Sequence, residues 1–93
     1  MTFYLICYDI VNDNHRNKVA HLLEGYGMRV QKSVFECVLD DQQYQWLQKR
    51  LLKYINQKED QLRFYPLSVR CRRKVLVLGV QPDFAVDDTA FIF

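Results

Sequence analysis

The stretch Phe3-Tyr4-Leu5-Ile6-Cys7-Tyr8-Asp9-Ile10 constrains the fold more than any other part of this chain. Every residue in it except Asp9 is apolar or aromatic. The run is too short to span a bilayer, and its aromatic and β-branched content predicts a buried strand. In a strand, Phe3, Leu5, Cys7 and Asp9 lie on one face and Tyr4, Ile6, Tyr8 and Ile10 on the other. Both faces are apolar, so both require cover. Asp9 sits where the strand gives way to a loop. A carboxylate on an apolar strand costs free energy unless it is paired, hydrogen-bonded or bound to a metal. Its purely structural role would be to cap the turn or helix that follows.

The rest of the chain reads in order from that strand. Asn12 and its neighbours supply short polar side chains suited to opening a helix, which is expected over about Asn14–Tyr26 with Val19, Leu22, Leu23 and Tyr26 as its apolar stripe. Gly27 is expected as a left-handed stop. Residues 28–39 are rich in Val and Phe. They predict either two short strands joined at Lys32-Ser33 or one sharply bent strand, since no Gly or Asn marks the turn. Asp40 with Gln43 has capping-box spacing and opens a second helix running to Asn56, with Tyr44, Leu47, Leu51, Tyr54 and Ile55 buried. A strand follows at Leu62–Leu67, where Pro66 marks an edge or an end. Ser68–Lys74 reads as a basic connection, and Val75–Leu78, closed by Gly79, as a further strand. The tail ends in Ala90-Phe91-Ile92-Phe93.

The order β-α-β-β-α-β with an extra C-terminal strand predicts an α+β fold, a ferredoxin-like sandwich over residues 1–79 with both helices on one side of the sheet. The other side is left bare. Because the Phe3–Ile10 and Val75–Leu78 strands are apolar on both faces, a homodimer is expected to cover it. The tail, residues 80–93, is expected to add a strand to the partner's sheet edge.

Composition narrows the class. Ninety-three residues make one domain. Three scattered cysteines without a C-x-x-C pair argue against a disulfide framework or zinc knuckle, and reduced thiols point to a cytoplasmic protein. The N-terminus lacks the features of a signal peptide, and no membrane association is expected. Residues 1–79 hold all 13 Lys and Arg against 8 of the 11 Asp and Glu, a net +5. That excess leans towards a polyanionic partner.

Catalytic groups are scarce. His15 and His21 lack metal-ligand spacing, and Ser33 and the cysteines have no accompanying base. Three glycines form no phosphate-cradling loop. Asp9 remains. Mg²⁺ is commonly held by one or two carboxylates together with waters and phosphates, and a two-fold dimer would bring two Asp9 side chains together. Arg16, Lys18, Arg29 and Lys32 are the cations expected near that strand end. Arg70, Arg72, Arg73 and Lys74 form a denser cluster further on. All eight are candidate phosphate contacts.

Tyr8-Asp9-Ile10 after an apolar strand, Lys18 to Gly27, Arg29-Val30-Gln31-Lys32-Ser33-Val34-Phe35-Glu36, Tyr65-Pro66-Leu67 and Arg72-Arg73-Lys74-Val75 together resemble the CRISPR-associated Cas-two family, the small partner in spacer acquisition. The resemblance spans roughly residues 1–79, and the Arg-Val-Gln-x-Ser-Val-Phe-Glu run is its most specific part. It implies a ferredoxin-like homodimer that bridges dimers of the larger CRISPR integrase subunit. It further implies a divalent-metal nuclease, using Mg²⁺ or Mn²⁺, on RNA or DNA. The family's metal aspartate falls on Asp9, with Tyr8 as its catalytic neighbour and Arg16, Lys18, Arg29 and Phe35 as functional matches. Lys18 stands where some members carry Arg, and an ammonium lacks the bidentate fork. A non-catalytic adaptor of the integrase complex uses the same dimer and basic surface; a toxin-like RNA interferase is the third reading.

Overall fold

A computed structural model describes residues 1–80. The chain runs β1 (Thr2–Asp9), α1 (Asp13–Glu24), β2 (Gly27–Gln31), β3 (Val34–Leu39), α2 (Asp41–Leu52), β4 (Gln61–Leu67) and α3 (Val69–Arg72). The strands form one four-stranded sheet in the order β2-β3-β1-β4. Every pairing is antiparallel. This is the expected α+β, ferredoxin-like arrangement.

The apolar run of β1 is central because it is paired on both sides. Ile6 lies opposite Phe35 on β3 and opposite Phe64 on β4. Tyr4, Ile6 and Tyr8 of β1 form the core with Ile10 just beyond, joined by Phe35, Cys37 and Leu39 of β3, Val19, Ala20 and Leu23 of α1, and Leu47 and Leu51 of α2. Ile6, Val19, Leu23, Phe35 and Leu47 are fully buried. Tyr4 stacks on Tyr44 with ring centroids 4.5 Å apart, and Phe64 meets both rings edge-on. Such pairs contribute about 0.5–1.5 kcal/mol beyond their buried area.

Both long helices begin on side-chain caps. The Asn12 side chain accepts from the His15 amide at 2.9 Å, which places the start of α1 at Asp13. At α2 the Asp40 carboxylate accepts from the Gln43 amide at 2.7 Å, and the Gln43 side chain accepts from the Asp40 amide at 3.0 Å. The expected capping box is formed. That helix ends at Leu52, short of Asn56.

Residues 28–39 form two strands, β2 and β3, joined at Lys32-Ser33, with a register shift between Arg29 and Gln31. Gly27 is not a left-handed stop; it opens β2 opposite Cys37. Its requirement is space, because a Cβ there would come within 2.1 Å of the Glu36 carbonyl oxygen and 2.6 Å of Cys37 Sγ. The basic connection after β4 contains a short helix, α3, whose N-cap Ser68 accepts from the Cys71 amide at 3.1 Å.

The strand expected at Val75–Leu78 does not form among the described residues. The segment is irregular, and Leu76 and Leu78 are exposed. β4, ending at Leu67, completes the sheet before this segment begins. The outer edges of β2 and β4 stay open, and Val75–Leu78 pairs with neither among the described residues. The tail expected to pair with a partner lies, beyond Val80, outside the described residues.

Gly27→Ala should lower the free energy of unfolding by about 1–3 kcal/mol through overpacking against β3. Urea unfolding followed by circular dichroism reads this directly. An unchanged midpoint would mean that the edge strand β2 gives way freely.

Candidate functional site

The sheet buries one face under α1 and α2 and leaves the other open. On β1 the open face carries Phe3, Leu5, Cys7 and Asp9, and strand alternation sets it apart from the core face. Opposite them lie Val34, Glu36 and Val38 on β3 and Gln61, Arg63, Tyr65 and Leu67 on β4. Phe3 is buried, Leu5 and Cys7 are half-buried, and Asp9 is exposed.

Asp9 is not a cap. Asn12 caps α1, and the Val11 amide donates to the Asp60 carboxylate at 2.9 Å. Asp60 also accepts from the Asn56 amide, and the two backbone donors hold its carboxyl below the usual carboxylate range. The polar work of the β1–α1 connection is therefore done by other residues. Among the described residues, no side-chain hydrogen bond or ion pair ties Asp9. It lines a shallow groove of about 330 Å³ with Cys7, Tyr8, Gln61, Arg63 and Tyr65.

Tyr8 adjoins Asp9 in sequence but points its ring the other way. It is buried beside Phe35, centroids 6.3 Å apart, and its hydroxyl donates to the Lys32 carbonyl at 3.3 Å. Burial raises the Tyr8 pKa, and the charge of Arg29 and a hydrogen bond from it pull in the opposite direction. Arg29 lies over the Phe35 ring at 5.2 Å and reaches Glu24 at 4.0 Å. Arg16 donates from Nε to the Ile10 carbonyl at 3.3 Å and pairs with Asp13. Arg16, Arg29, Lys32 and Phe35 thus gather around Tyr8, at the end of the sheet where Asp9 emerges.

The remaining expected cations lie elsewhere. Lys18 sits over the Tyr54 ring at 5.7 Å, in a groove on the helical layer shared with His21 and Arg50. Arg72 packs over Phe3 at 4.5 Å on the open face. Phe3 and Asp9 are six residues apart on one strand, about 20 Å, so Arg72 lies at the far end of the face from Asp9, and Arg70, Arg73 and Lys74 accompany it in and just after α3. The eight basic candidates do not form one patch around the carboxylate. Arg63 and Tyr65 were absent from the sequence-derived set, yet they share the groove with Asp9. Tyr65 and Trp46 are also exposed aromatic rings that the sequence did not separate from core stripes.

The sequence model of the family described as "CRISPR associated protein Cas2" matches residues 1–75. The chain belongs to the CRISPR-associated Cas2 family. A Synechocystis protein named "CRISPR-associated endoribonuclease Cas2 3" is 52% identical over 82 residues, covering 88% of this chain and 89% of that one. The crystal structure of Streptococcus pyogenes Cas2 at pH 6.5 superposes with a TM-score of 0.75 at 35% identity, covering 83% of this chain and 99% of that one. A chain of a structure titled "Partial Cas6-RT-Cas1--Cas2 complex" gives 0.73 at 33% identity, covering 92% and 99%. The Cas2 match spans the Asp9 groove and the Tyr8–Arg29–Phe35 cluster; of the described residues only 76–80 lie beyond it.

The open face holds a second carboxylate, this one partly buried. Glu36 Oε1 is buried without a hydrogen-bond partner. Burial pushes its carboxyl pKa up, and the charge of Arg72 offsets this in part. A pKa raised on folding means that the folded chain binds the proton more tightly. The resulting stabilisation is complete below the ordinary value of 4.5 and is lost as pH rises through the folded value. Wild type should therefore lose stability relative to Glu36→Gln as pH is raised from below 4.5 to neutrality. Urea midpoints of the two proteins across that range provide the check, and parallel pH profiles would contradict it.

Proposed function

We propose that this Cas2 protein is an endonuclease that cleaves phosphodiester bonds in RNA, working as a homodimer with Asp9 as its metal-holding carboxylate. One observation carries the reading. Asp9 is an exposed carboxylate at the end of the central strand, relieved of every structural duty by Asn12 and Asp60. A carboxylate kept free at such a place is suited to a ligand.

The fit to a divalent ion follows from the donor set. Among the described residues no three His, Cys, Asp or Glu side chains gather. The chain brings one carboxylate, which matches Mg²⁺ or Mn²⁺ held by few protein oxygens and by substrate phosphates. When bound, such an ion would act as a Lewis acid toward the phosphodiester. A second copy facing the first across the open sheet would double the carboxylate. Tyr8 acts at one remove: its hydroxyl fixes the Lys32 carbonyl and so the β2–β3 turn that carries Lys32. Arg16, Arg29 and Lys32 would hold flanking phosphates. Lys18 and the Arg70, Arg72, Arg73 and Lys74 cluster would engage nucleic acid further from the reacting bond.

RNA is the preferred substrate in this reading because the Synechocystis relative is named an endoribonuclease. The neighbour in the Cas1–Cas2 complex favours a second role, as an adaptor that joins nucleic acid to the integrase during spacer acquisition. That role needs the basic surface and leaves Asp9 idle. Residues 1–80 contain no helix long and apolar enough to cross a membrane.

Asp9→Asn preserves shape and removes charge. It should lower metal-dependent cleavage by roughly 100-fold or more and leave RNA affinity nearly unchanged, read by single-turnover cleavage and filter binding on the same RNA. Wild-type cleavage by the variant would leave the adaptor role as the sole function.

A further inference from the structure

The groove beside Asp9 has a cationic wall. Arg63 lies opposite Cys7 on β4, two residues from Gln61, which lies opposite Asp9. The Asp9 and Arg63 side chains are therefore diagonal neighbours on the same sheet face, about 7–8 Å apart at their bases. An arginine can bridge that distance, yet no ion pair joins them among the described residues. Arg63 donates instead from Nη1 to the Tyr65 hydroxyl at 2.9 Å. Tyr65 is two residues along the same strand and so on the same face.

This contact differs from those of the other two arginines near the carboxylate. Arg16 is paired with Asp13 and Arg29 with Glu24. Arg63 is braced by a neutral hydroxyl, which orients the guanidinium without cancelling its charge. A guanidinium has five N–H donors, and this brace engages one of them. The Tyr65 hydroxyl, accepting from Arg63, still has its own proton to donate. Donors and charge converge on a groove whose far end is the Asp9 carboxylate.

We propose that Arg63 and Tyr65 form the phosphate-binding half of the Asp9 site, gripping the non-bridging oxygens of the phosphodiester to be cleaved. The proposal rests on the nuclease reading and adds to it the groups that receive the substrate's charge. The planar fork suits a phosphate's two oxygens. Charge that builds on those oxygens during displacement at phosphorus is met by donors already in place. The free gap between Arg63 and Asp9 is the space for that phosphate.

The test uses the full chain carrying Arg63→Ala, Arg63→Lys or Tyr65→Phe, with Asp9→Asn run alongside. Two quantities are read on one labelled single-stranded RNA: single-turnover cleavage with Mg²⁺, and the salt dependence of binding in EDTA. Arg63→Ala should reduce cleavage roughly 100-fold and lower the log–log salt slope by about 0.7, the loss of one single-strand phosphate contact. Arg63→Lys should restore the slope but only part of the rate, because an ammonium keeps the charge without the fork. Tyr65→Phe should slow cleavage with the slope unchanged. Circular dichroism and sedimentation of each variant confirm fold and assembly.

A wild-type rate and slope in Arg63→Ala, with Asp9→Asn inactive, would overturn this proposal and leave the nuclease reading intact. Weakened self-association in a folded Arg63→Ala with an unchanged slope would also overturn it, making Arg63 an interchain ion-pair partner. If Asp9→Asn cleaves normally, the nuclease reading fails by itself. The salt slope then decides whether Arg63 contacts phosphate: a reduced slope retains the contact, and an unchanged one removes it.

Discussion

Everything in this molecule depends on the double pairing of β1. With β3 on one side and β4 on the other, its backbone is paired on both sides from Phe3 to Cys7, and its side chains are sorted onto two faces with different fates. Tyr4, Ile6 and Tyr8 enter a core that α1 and α2 close. Asp9 emerges at the strand's end on the opposite face, past the last β3 partner and held by its pairing with Gln61 of β4. A site on a central strand is held more rigidly than one on a loop, and positioning of that kind is what phosphoryl chemistry needs from a protein.

The open face combines features that a finished surface would avoid. Leu5 and Cys7 are half-buried, and Glu36 keeps a buried oxygen without a partner. Arg72 lies over Phe3 at one end, and Arg63 stands beside Asp9 at the other. An apolar centre flanked by charged ends is suited to a second copy across the middle and nucleic acid along the rim. Under the proposed arrangement dimerisation and chemistry would use one face.

Much of the fold was legible because its signals are local. The Asp40–Gln43 box, the apolar stripes of both helices and the dense β1 run each follow from residues close in sequence. The joint at Lys32-Ser33 was legible only as one of two alternatives, beside a single bent strand, because it lacks the Gly or Asn that marks tight hairpins. Gly27 was read for its backbone freedom, whereas its role is to let β2 approach Glu36 and Cys37, a contact fixed only by strand pairing. The Val75–Leu78 segment has strand composition but joins neither open edge of the sheet, an outcome that composition does not encode. Asp9 stood out in the sequence as a charge among apolar residues. Arg63 and Tyr65 did not, since their meaning comes from the register that sets them beside Cys7 and Asp9.

The central claim is that the Asp9-bearing face is where two copies meet. Sedimentation equilibrium of the wild-type chain over the micromolar range tests it most directly. The account predicts a species of twice the 11.2 kDa chain mass, persisting on dilution. A single-chain mass throughout that range would contradict it, leaving the open face bare and each Asp9 without its counterpart.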